Sequence, residues 1–354
     1  MEDINRFIHG TNLCFKKETA MSIGFTRRDM MQFLGVGAIS MALPKRLLGA
    51  QKDGKDKQPA AKSLTFFGWS DTHIPTNGDG SKLWPAIDAM NSLPGRAYPK
   101  NIGGVVDTPA FVFNCGDITE WPTPQAKKTY EDLITKRLRY ASYEILGNHD
   151  EAGADGVEGA PPIMKEWFKR RYGDLGYTFD QGGVHFVCPF SAYDESLGNP
   201  AQDLTTEALD FIRKNLNRHY SPDLVPEKLA SIPKGTPIIV ATHLCYDAMT
   251  NRDAFVDALG DANVIMVLSG HYHKAKVTPY RGVNFVQLPS VNSEWPEVTV
   301  IRITSNRLVA IPYDYSKRQW IDSSGKVLDV EIKNHRASGI QTSIHEMPRF
   351  AQAK

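Results

Sequence analysis

Cysteine is scarce: four in 354 residues, too few to staple a chain of this length as a disulfide scaffold. No apolar run approaches the ~18–20 residues that a membrane-spanning helix needs. Neither a heptad pattern nor a repeat of about 20–50 residues is evident, which sets aside coiled coils and solenoids. Charge of one sign is lacking too. Lys and Arg total 41 against 40 Asp and Glu, a formal net charge of +1, so there is no bulk attraction to nucleic acid or anionic membranes. What remains is an ordinary globular composition, 41% hydrophobic, long enough for one large domain or two smaller ones.

The first fifty residues read as an address. Thr26-Arg27-Arg28-Asp29-Met30-Met31 leads into an apolar stretch that ends near Leu43. An arginine pair followed by ~12 apolar residues is the layout of an export signal, too short for a stable membrane anchor. Leu48-Gly49-Ala50 offers small residues for cleavage before polar Gln51. The run resembles a twin-arginine signal, which implies the twin-arginine export machinery as a partner and a periplasmic or secreted protein. A cytosolic amphipathic helix is the bland alternative. Met21 would give a normal short leader, so residues 1–20 can be a misassigned start. Residues 1–50 carry seven Lys/Arg and four Asp/Glu, so their removal leaves a net charge of −2. It also leaves Cys115, Cys188 and Cys245, all in strand-like surroundings that suit small buried hydrophobes.

Residues 51–62 are a polar linker, and 63–333 are expected to form the catalytic domain with a tail at 334–354. Within the domain, short apolar runs recur at Leu64–Trp69, Phe111–Asn114, Tyr143–Leu146, Ile238–Ala241 and Val264–Leu268. Their length and continuity suit strands buried on both faces. Helical patterns stand between them. One begins at Thr123-Pro124 and runs to about Tyr140, with Pro in the tolerated first position. Another runs from Thr205 or Thr206 to about Arg218 with Leu209, Ile212 and Leu216 on one face, a third from Asn251 to Leu259, and a short one near Lys82–Met90. Strands alternating with helices predict an α/β domain. Asn284–Leu288, Val298–Ile303, Leu308–Tyr313 and the alternation Leu328, Val330, Ile332 follow without long helices. They are expected to form a second, more antiparallel sheet.

Each of the five apolar runs ends in chemistry. They close on Ser70-Asp71-Thr72-His73, Gly116-Asp117-Ile118-Thr119-Glu120, Gly147-Asn148-His149-Asp150, Thr242-His243 and Gly270-His271-Tyr272-His273. Parallel α/β sheets bind ligands beyond the carboxyl ends of their strands, so these tails converge on one edge. Two aspartates, one asparagine and four histidines make seven candidate metal ligands: Asp71, His73, Asp117, Asn148, His243, His271 and His273. Mixed imidazole, carboxylate and carbonyl donors suit Fe, Mn or Zn. Seven are too many for one tetrahedral ion and suit two ions sharing a carboxylate. Such a pair forms a clamp for in-line displacement at phosphorus, one ion activating water while both hold phosphoryl oxygens.

The ordered set Asp-x-His, Gly-Asp, Gly-Asn-His-Asp, His, Gly-His-x-His resembles the calcineurin-like metallophosphoesterase superfamily from about Leu64 to His273. The resemblance implies an α/β fold: a β-sandwich of two mixed sheets flanked by helices, in four layers α/β/β/α. It implies a first metal on Asp71, His73 and His273, a second on Asn148, His243 and His271, and Asp117 between them. It implies that His149 binds no metal and serves the leaving group as general acid or transition-state stabiliser. Asp150 is expected to orient His149 through a ring nitrogen. Glu120 stands where many relatives carry Asp or Asn, and is expected to shape the outer geometry of the site.

The substrate implied is a phosphate ester, monoester or diester. Two other classes stay in view. A metal-stabilised binding protein without turnover would show a degraded ligand set or lack His149, and neither is the case. A nuclease would want a basic groove, of which the charge of the exported chain gives no sign. His185, within Gly182–Val187, reads as a packed, hydrogen-bonded histidine. His219, His335 and His345 read as surface residues, and Trp84, Trp121 and Trp295 as packing residues or cleft lining.

Overall fold

The run Leu64-Thr65-Phe66-Phe67-Gly68-Trp69 forms β1, buried along its whole length. The computed structural model describes residues 63–151, 162–193, 201–216, 235–291 and 295–332. The expected export signal in residues 1–50, the 51–62 linker and the 334–354 tail lie outside the described residues, as do His219, His335 and His345. β1 pairs in parallel with β2 (Val112–Asn114), which pairs in parallel with β3 (Ser142–Glu144). On its other side β1 meets β10 (Glu297–Ile303) antiparallel, from Leu64↔Ile303 to Gly68↔Thr299. β11 (Arg307–Asp314), β12 (Gln319–Trp320) and β13 (Leu328–Glu331) complete this sheet of seven strands.

The second sheet has six strands in the order β4-β5-β6-β7-β9-β8. They are β4 (Tyr177–Gln181), β5 (Val184–Cys188), β6 (Ile238–Ala241), β7 (Val264–Ser269), β8 (Lys276–Tyr280) and β9 (Val283–Gln287). β5, β6, β7 and β9 run parallel, while β4 and β8 are antiparallel edges. Both sheets are therefore mixed, and the fold is the α/β class expected from sequence.

The expectation of a separate C-terminal sheet fails. β10 is buried at six of its seven positions, so it has two apolar faces to cover and only an interior place beside β1 covers both. The five site-bearing strands consequently divide, with β1, β2 and β3 in one sheet and β6 and β7 in the other.

Strand alternation sorts the core. Phe66 points between the sheets, 4.8 Å from the ring of Phe111 and 5.7 Å from Phe186 of β5. Its neighbour Phe67 turns outward to Tyr140, and Trp69 stacks on Tyr130 of helix α2 (Pro124–Asp132). The second sheet mirrors this. Ile239 and Ala241 join the central core, while Ile238 and Val240 face α4 (Thr206–Leu216) and α5 (Arg252–Leu259). Leu209, Ile212 and Leu216 are buried on α4, the single face their spacing predicts. α1 (Trp84–Ser92) and α3 (Ile163–Tyr172) pack into the central cluster through Ile87, Met90, Met164 and Phe168. Cys115, Cys188 and Cys245 are free and buried.

Thr123 caps α2 by accepting the Ala126 N–H at 3.0 Å, with Pro124 in the first turn. The helix does not reach Tyr140. A π-turn over Leu133–Arg137 ends it at extended Leu138. The Thr135 hydroxyl takes the Glu131 carbonyl there, a side-chain bond that competes with the helical ladder.

Candidate metal centre

The tails of β1, β2, β3, β6 and β7 meet at one end of the two sheets. Backbone bonds stitch the first two together: Asp71 N–H to Gly116 O at 2.9 Å, and His73 N–H to Asp117 O at 3.0 Å. Gly270 N–H reaches His243 O at 3.0 Å, and the Ser290 hydroxyl donates to Asp71 O at 2.8 Å. The tails turn by placing ligand residues in left-handed backbone, with φ of 52° at Asp71, 40° at His73, 50° at Asp117, 77° at His271 and 62° at His273. Only two other non-glycine residues among those described have positive φ, Arg281 and Arg318. Such backbone is uncommon outside glycine and concentrates at functional sites. The close approach of the tails also explains Gly147, where an added Cβ would lie 2.2 Å from Asp117 Oδ1.

Two donor clusters result. In one, His73 Nε2 lies 3.1 Å from His273 Nε2, and Asp71 Oδ1 lies 3.5 Å from His273 Nε2. In the other, Asn148 Oδ1 is 3.0 Å from His243 Nε2 and 3.1 Å from His271 Nδ1, and the two ring nitrogens are 3.2 Å apart. Asp117 stands between. Its Oδ2 is 3.1 Å from His243 Nε2 and 3.7 Å from His73 Nε2. Metal–ligand bonds of about 2.0–2.2 Å at tetrahedral or octahedral angles put neighbouring ligand atoms about 3.0–3.5 Å apart. Most separations in the clusters fall in that range, while His73 Nε2 is 4.0 Å from Asp71 Oδ1 and 3.7 Å from Asp117 Oδ2.

Their chemistry fits a cation as well. Nδ1 of His243 faces the Cys115 carbonyl at 2.7 Å, and a carbonyl only accepts, so Nδ1 carries the hydrogen. Neutral His243 then turns an Nε2 lone pair toward a carboxylate oxygen and an amide oxygen, three acceptors without a hydrogen among them. His73 repeats the arrangement, with Nδ1 2.9 Å from Glu120 Oε2 and Nε2 facing the cluster. Only a proton or a cation reconciles such donor sets.

The electrostatics agree. Burial draws the His73 imidazole down, but the Glu120 contact and the charges of Asp117 and Asp71 raise it to about 9. His243 rises to about 9, the charge and hydrogen bond of Asp117 outweighing its burial. Burial works against the Asp71 carboxylate, yet its hydrogen bond with His273 and the charge of His243 hold it below the usual range. Asp117 is likewise depressed against its burial, chiefly by His243. The charges that favour protons here would favour a metal cation in the same place.

His149 lies beside both clusters. Its backbone N–H donates to Asp117 Oδ1 at 3.0 Å, and its ring Nδ1 meets the Glu120 carbonyl at 2.8 Å. Trp121 packs over the ring at 4.8 Å, and the His73 ring meets it edge-on at 4.7 Å. Asp150 does not orient His149, which corrects the role expected of it. Its Oδ1 accepts from the Thr119 amide and hydroxyl, and its Oδ2 from the Ile118 and Gly147 amides, at 2.9–3.0 Å. The side chain is 2% exposed; it points into the loop beneath the site and ties the β2 and β3 tails together. Burial and the nearby Asp117 charge raise its carboxyl, against those backbone bonds.

His185 is buried with Nδ1 2.8 Å from Asp180 Oδ1, away from the centre. Trp84 lies under Arg137 and Trp295 under Lys326. Two residues that sequence reasoning did not single out flank the ligands. Tyr193 presents its ring edge to His243 at 6.0 Å, and Tyr272 stacks on His271 at 5.0 Å. Tyr272 sits in the Gly-His-x-His tail itself, the one signal available; Tyr193 carries none. A cleft of about 550 Å³ opens beside Tyr272, lined also by His271, His273, Lys274, Lys276 and Asp247.

The site thus sets histidine and carboxylate groups that could hold metal ions at one end of a two-sheet α/β fold. Residues 65–275 match the calcineurin-like phosphoesterase family. The chain belongs to that family and is a phosphoesterase. The serine/threonine-protein phosphatase CPPED1 of Pongo abelii is 24% identical over 241 residues, covering 63% of this chain and 70% of its own. Among solved structures, GAP50, the anchor in the inner membrane complex of Plasmodium, aligns over 78% of this chain and 90% of its own with 15% identity and a TM-score of 0.47. Phosphopantetheinyl hydrolase of Mycobacterium tuberculosis aligns over 78% and 99% with 16% identity and a TM-score of 0.37.

Proposed function

We propose that this phosphoesterase is a binuclear metal-dependent hydrolase that works after export from the cytoplasm. The observation that carries the binuclear reading is the place of Asp117 Oδ2, 3.1 Å from His243 Nε2 in one cluster and 3.7 Å from His73 Nε2 in the other. Asp71, His73 and His273 would hold one ion and Asn148, His243 and His271 the other, with Asp117 placed to serve both. When bound, the ions polarise the phosphoryl oxygens and acidify a water, as paired metals do in phosphoester hydrolysis.

The chain's own residues supply the rest. His149 donates Nδ1–H to the Glu120 carbonyl, which fixes the ring; in its doubly protonated form it carries a second hydrogen on Nε2, which passes to the departing alkoxide oxygen and leaves the neutral Nδ1–H ring. Trp121 and the His73 ring restrict its rotation. Asp150 keeps the loop amides in place, so that Asp117 and Asn148 stay at their spacing. Tyr272, Lys274 and Lys276 border the cleft from which an anionic ester can approach.

The likeness to a named serine/threonine phosphatase supports including phosphomonoesters among the substrates. The test uses the chain from Gln51 loaded separately with Mn, Zn or Fe, and compares p-nitrophenyl phosphate, bis-p-nitrophenyl phosphate and a phosphoserine peptide. Turnover that needs two equivalents of metal is the expected result. Turnover complete with one equivalent refutes the binuclear reading. No turnover on any substrate, with both ions verified in place, turns the reading toward a binding protein.

A further inference from the structure

A line of polar side chains, half-buried at α3 and fully buried beyond it, runs from α3 to the corner that carries Asp117. Arg171 of α3 donates from Nε to Glu144 Oε2 at 2.9 Å and from Nη2 to the Ser142 carbonyl at 2.7 Å. Tyr172 also donates to Glu144 Oε2. The other Glu144 oxygen, Oε1, accepts from the Tyr130 hydroxyl at 3.2 Å. Tyr130 in turn accepts from Asn114 Nδ2 at 3.2 Å, and Asn114 Oδ1 accepts the Gly116 N–H at 3.1 Å. Glu144, Tyr130 and Asn114 are all 0% exposed.

Every bond in this line has a fixed direction. Arginine only donates and the carboxylate only accepts, so the Tyr130 hydrogen must point to Glu144 and its lone pair to Asn114. Burial and the Glu144 charge push the Tyr130 phenol well above its ordinary range, so it stays a donor. Asn114 is thereby fixed with its amide group toward Tyr130 and its oxygen toward Gly116. The Gly116 peptide is clamped on both sides, its N–H by Asn114 and its C=O by the Asp71 N–H at 2.9 Å. Gly116 itself has φ of 97°, and Asp117 follows at 50°. This is a corner that an unconstrained chain would not hold.

Stability alone does not account for the Glu144–Arg171 pair, whose carboxylate is fully buried while its guanidinium is 20% exposed, because burying a charge costs about as much as the attraction returns. A fully satisfied buried network does confer a single geometry. We infer that Tyr130, Asn114 and the Glu144–Arg171 pair form a positioning relay that holds the Gly116–Asp117 corner, and with it the carboxylate shared by the two metal clusters. The inference rests on the reading of Asp117 as that shared ligand. The relay touches neither ion nor substrate; it acts through the Gly116–Asp117 corner, which also accepts the Asp71 N–H.

The experiment replaces Tyr130 by Phe in the full chain and reads two quantities: affinity for Mn and Zn by chelator competition, and hydrogen exchange at the Gly116 amide. The expected result is a loss of about tenfold in affinity at both sites, the low end for residues that support metal ligands. It comes with at least tenfold faster exchange at Gly116, while the Phe113 amide in β2 keeps its protection. Met164→Ala, which removes apolar contacts on the same side of the sheet, should lower the melting temperature yet leave both readings within twofold of the parent. Unchanged affinity and exchange in Tyr130→Phe overturn the relay, however far its melting temperature falls. Should Tyr130→Phe fail to fold, the double variant Glu144→Gln with Arg171→Met carries the same test and the same overturning result. Asp117→Asn separates the two levels. If it leaves both affinities intact, the shared-ligand reading fails. If it abolishes them while Tyr130→Phe does nothing, only the relay fails.

Discussion

The carboxylate of Asp117 and the Nε2 of His243 lie 3.1 Å apart, both buried and brought together from different sheets. The other Asp117 oxygen is already engaged by the His149 N–H. Asp117→Asn keeps the size of the side chain and removes its charge. Both metal sites should weaken together and turnover should fall by roughly 10²-fold or more, the loss being one of shared electrostatic support. Titration calorimetry with Mn or Zn checks this. Two ions still bound at parental affinity would argue against a shared ligand.

His149→Ala should separate binding from chemistry. None of its ring atoms is needed for either donor cluster, so metal content should stay at two per chain. Turnover should drop by roughly 10²-fold, the scale of a general acid. The drop should be larger for an alkyl phosphate than for p-nitrophenyl phosphate, whose leaving group departs without a proton. Equal losses on both esters would assign His149 to positioning instead.

Asp150→Ala should act on folding before chemistry. It strips acceptors from three amides and the Thr119 hydroxyl, all within a buried loop. Unpaired buried donors cost about 1–3 kcal/mol each, so a loss of about 3 kcal/mol or more is expected in urea denaturation. A stability unchanged from the parent would mean that the loop is held by other contacts.

The metal-free protein should show an inverted pH profile. His73 and His243 are raised from the ordinary 6.5 to about 9, so the stability they contribute is fully present below about pH 6.5 and is lost as pH climbs to about 9. Asp71 and Asp117 are depressed, and their contribution fades only in acid, as pH falls below the usual carboxylate range. Melting temperatures of chelated protein between pH 6 and 9.5 should fall with rising pH. Metal affinity should rise over the same window with release of protons, because the imidazoles bind metal in their neutral form. A flat affinity between pH 6.5 and 9 would contradict the donor assignment.

Export can be tested on the full chain. Replacing Arg27 and Arg28 by Lys should retain the protein in the cytoplasm of the bacterial host at full length, since a twin-arginine signal is read through that pair. Secretion of the double variant at parental level would remove the signal reading.

Much of the site was legible because its residues lie directly after apolar runs. Leu64–Trp69 and Ile238–Ala241 coincide with β1 and β6 to the residue. The division of strands between sheets was not, because β1 and β10 pair across more than two hundred residues and no local pattern records that choice. β8 escaped notice as an edge strand with Pro279 and half-exposed faces. α3 escaped because Lys169-Arg170-Arg171 make its sequence look polar, although Met164, Trp167, Phe168 and Tyr172 keep one face at helical spacing. Asp150 was misread for a related reason. Its neighbour in sequence is His149, but its partners are the amides of residues 118 and 119, and only the folded loop brings them near.

Each donor cluster draws on both sheets. Asp71 and His73 come from one and His273 from the other; Asn148 comes from one and His243 and His271 from the other. A bound ion would therefore tie together two sheets that otherwise meet through the apolar core and a few hydrogen bonds, such as the Ser290 hydroxyl to Asp71 O and the Tyr177 hydroxyl to Glu144 O. Stripping the ions should open the seam at that end first, and make the loops after β3 and β7 the earliest sites of proteolytic cutting.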